Sequence, residues 1–172
     1  MNKSHNFSIL NYLIIYCCGA VGTFSNSPFS ILPLFFTIGF GIYLINFMPT
    51  LLKTFIAAWF LGLGWFSFGL YWIGSAFIVA ETYQTFLMPI AIILLPSFLA
   101  LFWGFACLCA KLLCRNKKFS IIYMIIFLSI FEYLRAIIFT GFPWLMPSMV
   151  LSSNYDKSLE MSRNISIVVS FL

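Results

Sequence analysis

Phe131-Glu132-Tyr133-Leu134-Arg135-Ala136-Ile137-Ile138-Phe139-Thr140-Gly141-Phe142-Pro143-Trp144 sets two charges inside an otherwise apolar helical run. Positions 132 and 135 share a helix face, so carboxylate and guanidinium can pair, which lowers the cost of holding ionisable groups in hydrocarbon. The run then stops. Gly141 frees the backbone, Pro143 has no donor N–H, and Trp144 is the amphipathic ring that settles where hydrocarbon meets water. A helix with one internal ion pair and a Gly-Phe-Pro-Trp end reads as a membrane span fixed at an interface.

The rest of the chain supports that reading. Hydrophobic residues make up 63% and charged residues 8% of 172, and the mean hydropathy is +1.06. That leaves too little polar surface to cover a soluble globule, so the chain is an integral membrane protein. Its formal net charge of +5 does not indicate nucleic acid, because the basic residues sit in short gaps between apolar runs rather than along one face; they carry topology instead. Five cysteines (Cys17, Cys18, Cys107, Cys109, Cys114) form no C-x-x-C and the single histidine is His5. No metal site or cofactor is therefore expected, and the cysteines read as small apolar packing residues.

The fold expected is all-α, a polytopic transmembrane helix bundle in one region, 1–172. Spans are expected at about 8–24, 31–48, 54–79, 86–113 and 119–140, with a further apolar run starting at 165. That last run has about 8 residues where a crossing needs about 20. It reads as the start of a sixth span in a truncated or split product. A basic start, an apolar core, Ala20 and Gly22 are also ingredients of a signal peptide, but the run passes through Ser25-Asn26-Ser27-Pro28 into a second apolar segment, which suits a hairpin better. In the third span Ala58, Gly62 and Gly69 fall close to one face, the pattern by which helices approach closely in lipid, and Trp65 and Trp72 are candidates to line a lipid groove there. Pro89 and Pro96 are expected to kink the fourth span.

Orientation follows from the basic residues. With the N-terminus in the cytoplasm, Lys3, Lys53, Lys111, Arg115, Lys117 and Lys118 lie inside against Lys157 and Arg163 outside, six to two. Glu132 and Arg135 then lie in the outer half of their helix, about 12 and 8 Å from its end at about 1.5 Å per residue.

The opening stretch resembles the E-[FYW]-L-R…T-G-F-P-W signature of bacterial apolipoprotein N-acyltransferases. Ser27-Pro28-Phe29-Ser30-Ile31-Leu32-Pro33-Leu34 is similar to that family's turn after its first helix, and Gly62-Leu63-Gly64-Trp65-Phe66-Ser67-Phe68-Gly69-Leu70-Tyr71-Trp72-Ile73 to its Gly-rich third helix. The resemblance covers the family's N-terminal membrane part. It implies a multi-pass protein of the bacterial inner membrane, with membrane phospholipid and lipoprotein as substrates. It also implies that chemistry resides in a nitrilase-like domain bearing a Glu-Lys-Cys triad, brought by further sequence or by a second chain. No catalytic residue is carried over to these 172 residues. Glu132, Arg135, Thr140, Gly141, Phe142, Pro143 and Trp144 are the candidate site, with two readings: register-fixing ion pair and interfacial anchor, or lipid contact with Arg135 on a phosphate. The alternative class is a small non-enzymatic membrane protein, a transporter subunit or scaffold.

Overall fold

The computed structural model describes residues 9–26, 29–74, 88–114, 120–138, 145, 147 and 150. The expected loop at 81–84, the stretch Thr140–Trp144 and the run from 165 lie outside the described residues. Five α-helices are described: α1 Ile9–Gly22, α2 Phe36–Asn46, α3 Leu51–Gly69, α4 Met88–Leu113 and α5 Ser120–Ile138. Among the described residues there is no strand. α3, α4 and residues Ile121–Ile138 of α5 are long and apolar enough to cross a membrane, while Ile9–Ser25 and Leu32–Asn46 are shorter apolar stretches.

Local chemistry sets the ends. α1 tightens into a 3₁₀ turn, Thr23–Ser25, and α2 is preceded by another, Leu32–Phe35, with Pro33 in its first turn, where a missing N–H costs nothing. Thr50 is extended and caps α3, its side chain accepting from the Lys53 N–H at 3.3 Å. α4 continues through Pro96. One turn around that proline, Ser97 Oγ donates to the Ile93 carbonyl at 2.6 Å and Trp59 Nε1 donates to the Ser97 carbonyl at 2.9 Å, so neighbouring side chains supplement the interrupted ladder.

α3 is the central helix, packed on α1 and α4. Its pairing with α4 is antiparallel: Thr54 meets Lys111, Phe55 meets Phe105, Gly62 meets Ala100, and Gly74, beyond the helix, meets Met88. Its pairing with α1 is parallel, Tyr12 against Phe60 and Tyr16 against Phe68. α1 and α2 form a hairpin in which Thr37 Oγ1 donates to the Cys18 carbonyl at 2.9 Å. The core runs along α3 through Ala58, Leu61, Trp65 and Phe66. Large apolar side chains on every described helix face outward, among them Ile9, Phe36, Leu52, Ile93 and Tyr133, as a hydrocarbon solvent permits.

The small residues of α3 serve two partners rather than one face. A Cβ on Gly62 would lie 3.2 Å from the Ala100 Cα of α4, whereas one on Gly64 would run into the Tyr16 carbonyl of α1. The approach is reciprocal: a Cβ on Gly19 of α1 would run into the Leu61 carbonyl of α3. Helix backbones in contact at this distance need residues with no side chain.

Lys111 does not stand free in a loop. Its Nζ donates to Thr54 Oγ1 at 2.8 Å and to the Met48 carbonyl, just past the end of α2. The ammonium thus ties α4 to the connection between α2 and α3.

Candidate functional site

Of the seven candidate residues, the described part of the chain contains Glu132 and Arg135; Thr140, Gly141, Phe142, Pro143 and Trp144 lie outside it. One turn of α5 sets the two side by side, and Arg135 Nη2 donates to Glu132 Oε2 at 2.6 Å. Trp103 of α4 donates its Nε1–H to the other carboxylate oxygen, Oε1, at 2.7 Å. Both oxygens are therefore engaged. From α3 comes Phe66, over whose ring the Arg135 guanidinium carbon lies 4.7 Å from the centroid, a cation–π contact. Phe66 in turn meets Trp103 edge-on at 5.7 Å, and Trp103 stacks on Trp65 at 6.1 Å. One ion pair thus joins α3, α4 and α5.

The cluster is closed off. Arg135 is 1% exposed and Glu132 9%, and Arg135 Nε and Nη1 are buried without a hydrogen-bond acceptor among the described residues. In so enclosed a place the pair contributes geometry: charges 2.6 Å apart in low dielectric hold their helices in one register, because any slip exposes each charge to hydrocarbon. A carboxylate that is 9% exposed and holds a guanidinium on one oxygen and an indole N–H on the other is poorly placed to take a proton from a substrate.

Sequence reading singled out the two charges and missed their aromatic partners. A signal existed. An indole N–H within an apolar helix has to find an acceptor, and Glu132 is the one carboxylate among the apolar spans. Trp65, expected beside Trp72 in a groove, is instead fully buried, while Trp72 is half exposed. The Trp65 Nε1–H donates to the Leu145 carbonyl at 2.9 Å. Leu145 has φ +48°, a conformation costing a bulky residue of order 1–3 kcal/mol. Its side chain fills the space that a Cβ on Gly69 would take, so the hydrogen bond and the glycine together fasten this turn to the end of α3.

No group of three His, Cys, Asp or Glu able to hold a metal occurs among the described residues. Cys18 and Cys107 are buried thiols, as apolar packing residues would be, but Cys17 is exposed on α1.

The family described as the apolipoprotein N-acyltransferase N-terminal domain matches residues 18–156. The apolipoprotein N-acyltransferase of Rhodopseudomonas palustris is 33% identical over 162 residues, covering 91% of this chain and 30% of the relative. That of Brucella suis is 34% identical over 146 residues, 77% of this chain and 27% of the relative. The relative from Rhizobium rhizogenes is 31% identical over 142 residues, with the same two shares, 77% and 27%. The chain thus spans 30% or less of the length of these curated relatives. No solved structure matches it.

Proposed function

Since the chain belongs to the apolipoprotein N-acyltransferase family, through that family's N-terminal domain, we propose that its residues form the membrane-embedded part of an enzyme that acylates lipoproteins at the bacterial inner membrane. The observation that carries this reading is the family match across residues 18–156. In the whole enzyme a cysteine thiolate would attack the glycerol ester of a phospholipid, forming a thioester and releasing the lysophospholipid. The amino group of a lipoprotein's N-terminal diacylglyceryl-cysteine would then take the acyl group as an amide and free the thiol. Those steps need a Glu-Lys-Cys constellation, and these 172 residues contribute the bundle that holds it at the membrane. Glu132 and Arg135 act in that bundle as a packing pair, a role favoured over phosphate binding by the 1% exposure of Arg135.

Two results are expected. The purified chain shows no transfer of an acyl group from phospholipid to a diacylated lipopeptide, whereas a chimera in which it replaces the matching segment of the Rhodopseudomonas palustris relative restores lipoprotein N-acylation in cells. Turnover by the chain alone that Cys→Ser changes abolish, or a membrane-inserted chimera without activity, would contradict the proposal.

The orientation proposed has the N-terminus in the cytoplasm, supported by the six-to-two distribution of basic residues. Reporter fusions should then read cytoplasmic at Arg115 and external at Tyr83 and Tyr155. An external signal at Arg115 would reverse the assignment.

A further inference from the structure

Pro96 divides α4 into two parts that are packed very differently. Every buried residue of this helix lies at or beyond the proline, among them Leu99, Ala100, Trp103 and Cys107, and there α4 meets α3 backbone to backbone, as at Ala100 and Gly62. From Met88 to Leu95 no residue is buried. Ile90, Ile93 and Leu94 are 50%, 67% and 61% exposed, and a Cβ on Gly74, beyond the end of α3, would first meet the side-chain ends of Ile92 and Met88, at 3.0 and 3.1 Å. Such flexible ends can part from Gly74 without strain in either backbone.

The proline also weakens the ladder between the two parts. It has no N–H for the Ile92 carbonyl one turn earlier, so a hydrogen bond is missing where the parts join. Just past that point α4 is pinned, because the Ser97 carbonyl accepts the Trp59 Nε1–H of α3 at 2.9 Å. Sharp helix kinks, beyond about 20°, occur at prolines. Ile90 stands about 9 Å before Pro96 at about 1.5 Å per residue, so a swing of about 20° carries it through about 3 Å.

We propose that α4 is hinged at Pro96: the arm Met88–Leu95 swings on the fixed remainder of the helix, with the Trp59–Ser97 hydrogen bond as fulcrum, and so opens and closes its seam with the end of α3. The solvent makes the two positions close in free energy. Opening exchanges the contact of Ile92 and Met88 with Gly74 for lipid tails that are equally apolar, so no hydrophobic penalty holds the arm shut. Hinge motions of this kind run in microseconds to milliseconds. The inference concerns movement within the bundle and stands independently of acyl transfer by the whole enzyme.

The test uses the full chain in nanodiscs and distances from pulsed electron spin resonance, with spin labels on introduced keto amino acids so that the native cysteines stay in place. One pair of labels, at Ile90 and Val21, spans the bundle at the arm; the other, at Phe105 and Leu10, spans it at the fixed part, and all four positions are exposed. The Ile90–Val21 distribution should be broader than the Phe105–Leu10 distribution by about 3 Å, the travel of the arm. In Pro96→Ala, which restores the missing N–H, the two should have equal widths. A label at Phe98, just past the hinge, should give a narrow distribution to Val21 in the parent chain and a broad one in Trp59→Phe, which frees the fulcrum. This second variant carries the test if Pro96→Ala does not reach the membrane. Equal widths for arm and fixed part in the parent chain, breadth at Ile90 that persists in Pro96→Ala, or no broadening at Phe98 in Trp59→Phe would each overturn the proposal.

Discussion

Gly64→Ala and Gly19→Ala should each lower stability in detergent by about 3 kcal/mol, the upper part of the range for overpacking. The added methyl at either position meets backbone rather than a movable side chain. At Gly64 it runs into the Tyr16 carbonyl and lies 2.9 Å from the Ala20 nitrogen; at Gly19 it runs into the Leu61 carbonyl and lies 2.9 Å from the Trp65 nitrogen. Neither helix can yield locally without breaking its own hydrogen bonds, so α1 and α3 must move apart along their crossing. The double substitution should cost less than the sum of the two, because the first separation already makes room for the second. Gly39→Ala supplies the control: a Cβ there has nothing within 4 Å, and alanine's higher helix propensity should leave stability equal or raised by up to about 1 kcal/mol. Thermal unfolding followed by thiol labelling of buried Cys107 would measure all four variants. Equal behaviour of Gly39→Ala and Gly64→Ala would mean that the α1–α3 crossing is looser than described.

Glu132→Leu should be the most damaging substitution at the buried ion pair, more so than Arg135→Leu. Losing the carboxylate strips two donors at once: among the described residues Arg135 Nη2 joins Nε and Nη1 in having no acceptor, and Trp103 Nε1 loses the carboxylate oxygen it donates to. Losing the guanidinium leaves Glu132 still bonded to Trp103. Removing one partner of a buried pair costs about 3–5 kcal/mol, and the count of stranded donors places Glu132→Leu at the top of that range and Arg135→Leu at the bottom. Steady-state abundance in membranes should follow the same order. The reverse order would mean that Trp103 does not depend on Glu132.

Much of this was legible in the residues because hydrocarbon imposes a simple rule: apolar runs become helices, and charges within them need partners. Glu132 and Arg135 could be paired from their spacing, whereas α3 begins at Leu51, behind its Thr50 cap, rather than at 54. What could not be read was which helix lies beside which. Spacing along α3 put Ala58, Gly62 and Gly69 on one face, but it is Gly64, off that stripe, that lies against α1, and only the reciprocal glycine on α1 reveals the contact. Lys111 reads from sequence only as a topology charge, since periodicity does not show that its long stem reaches back to Thr54 and Met48. The Trp103 bond to Glu132 joins residues 29 apart in the chain; each residue declares a need for a partner, and only the fold says that they meet each other. Leu145 is a similar case, as no local signal marks a leucine for a left-handed conformation.

The claim on which the bundle's architecture turns is that Glu132 and Arg135 act as one unit between α3, α4 and α5. The double-mutant cycle of Glu132→Leu, Arg135→Leu and their combination tests it most directly, read as thermal stability of the purified proteins in one detergent. The double variant should be less destabilised than the sum of the single variants by about 2 kcal/mol or more, with a remaining deficit because Trp103 Nε1 still lacks an acceptor. Additivity within about 0.5 kcal/mol would show that the two residues do not depend on each other, and would contradict the account.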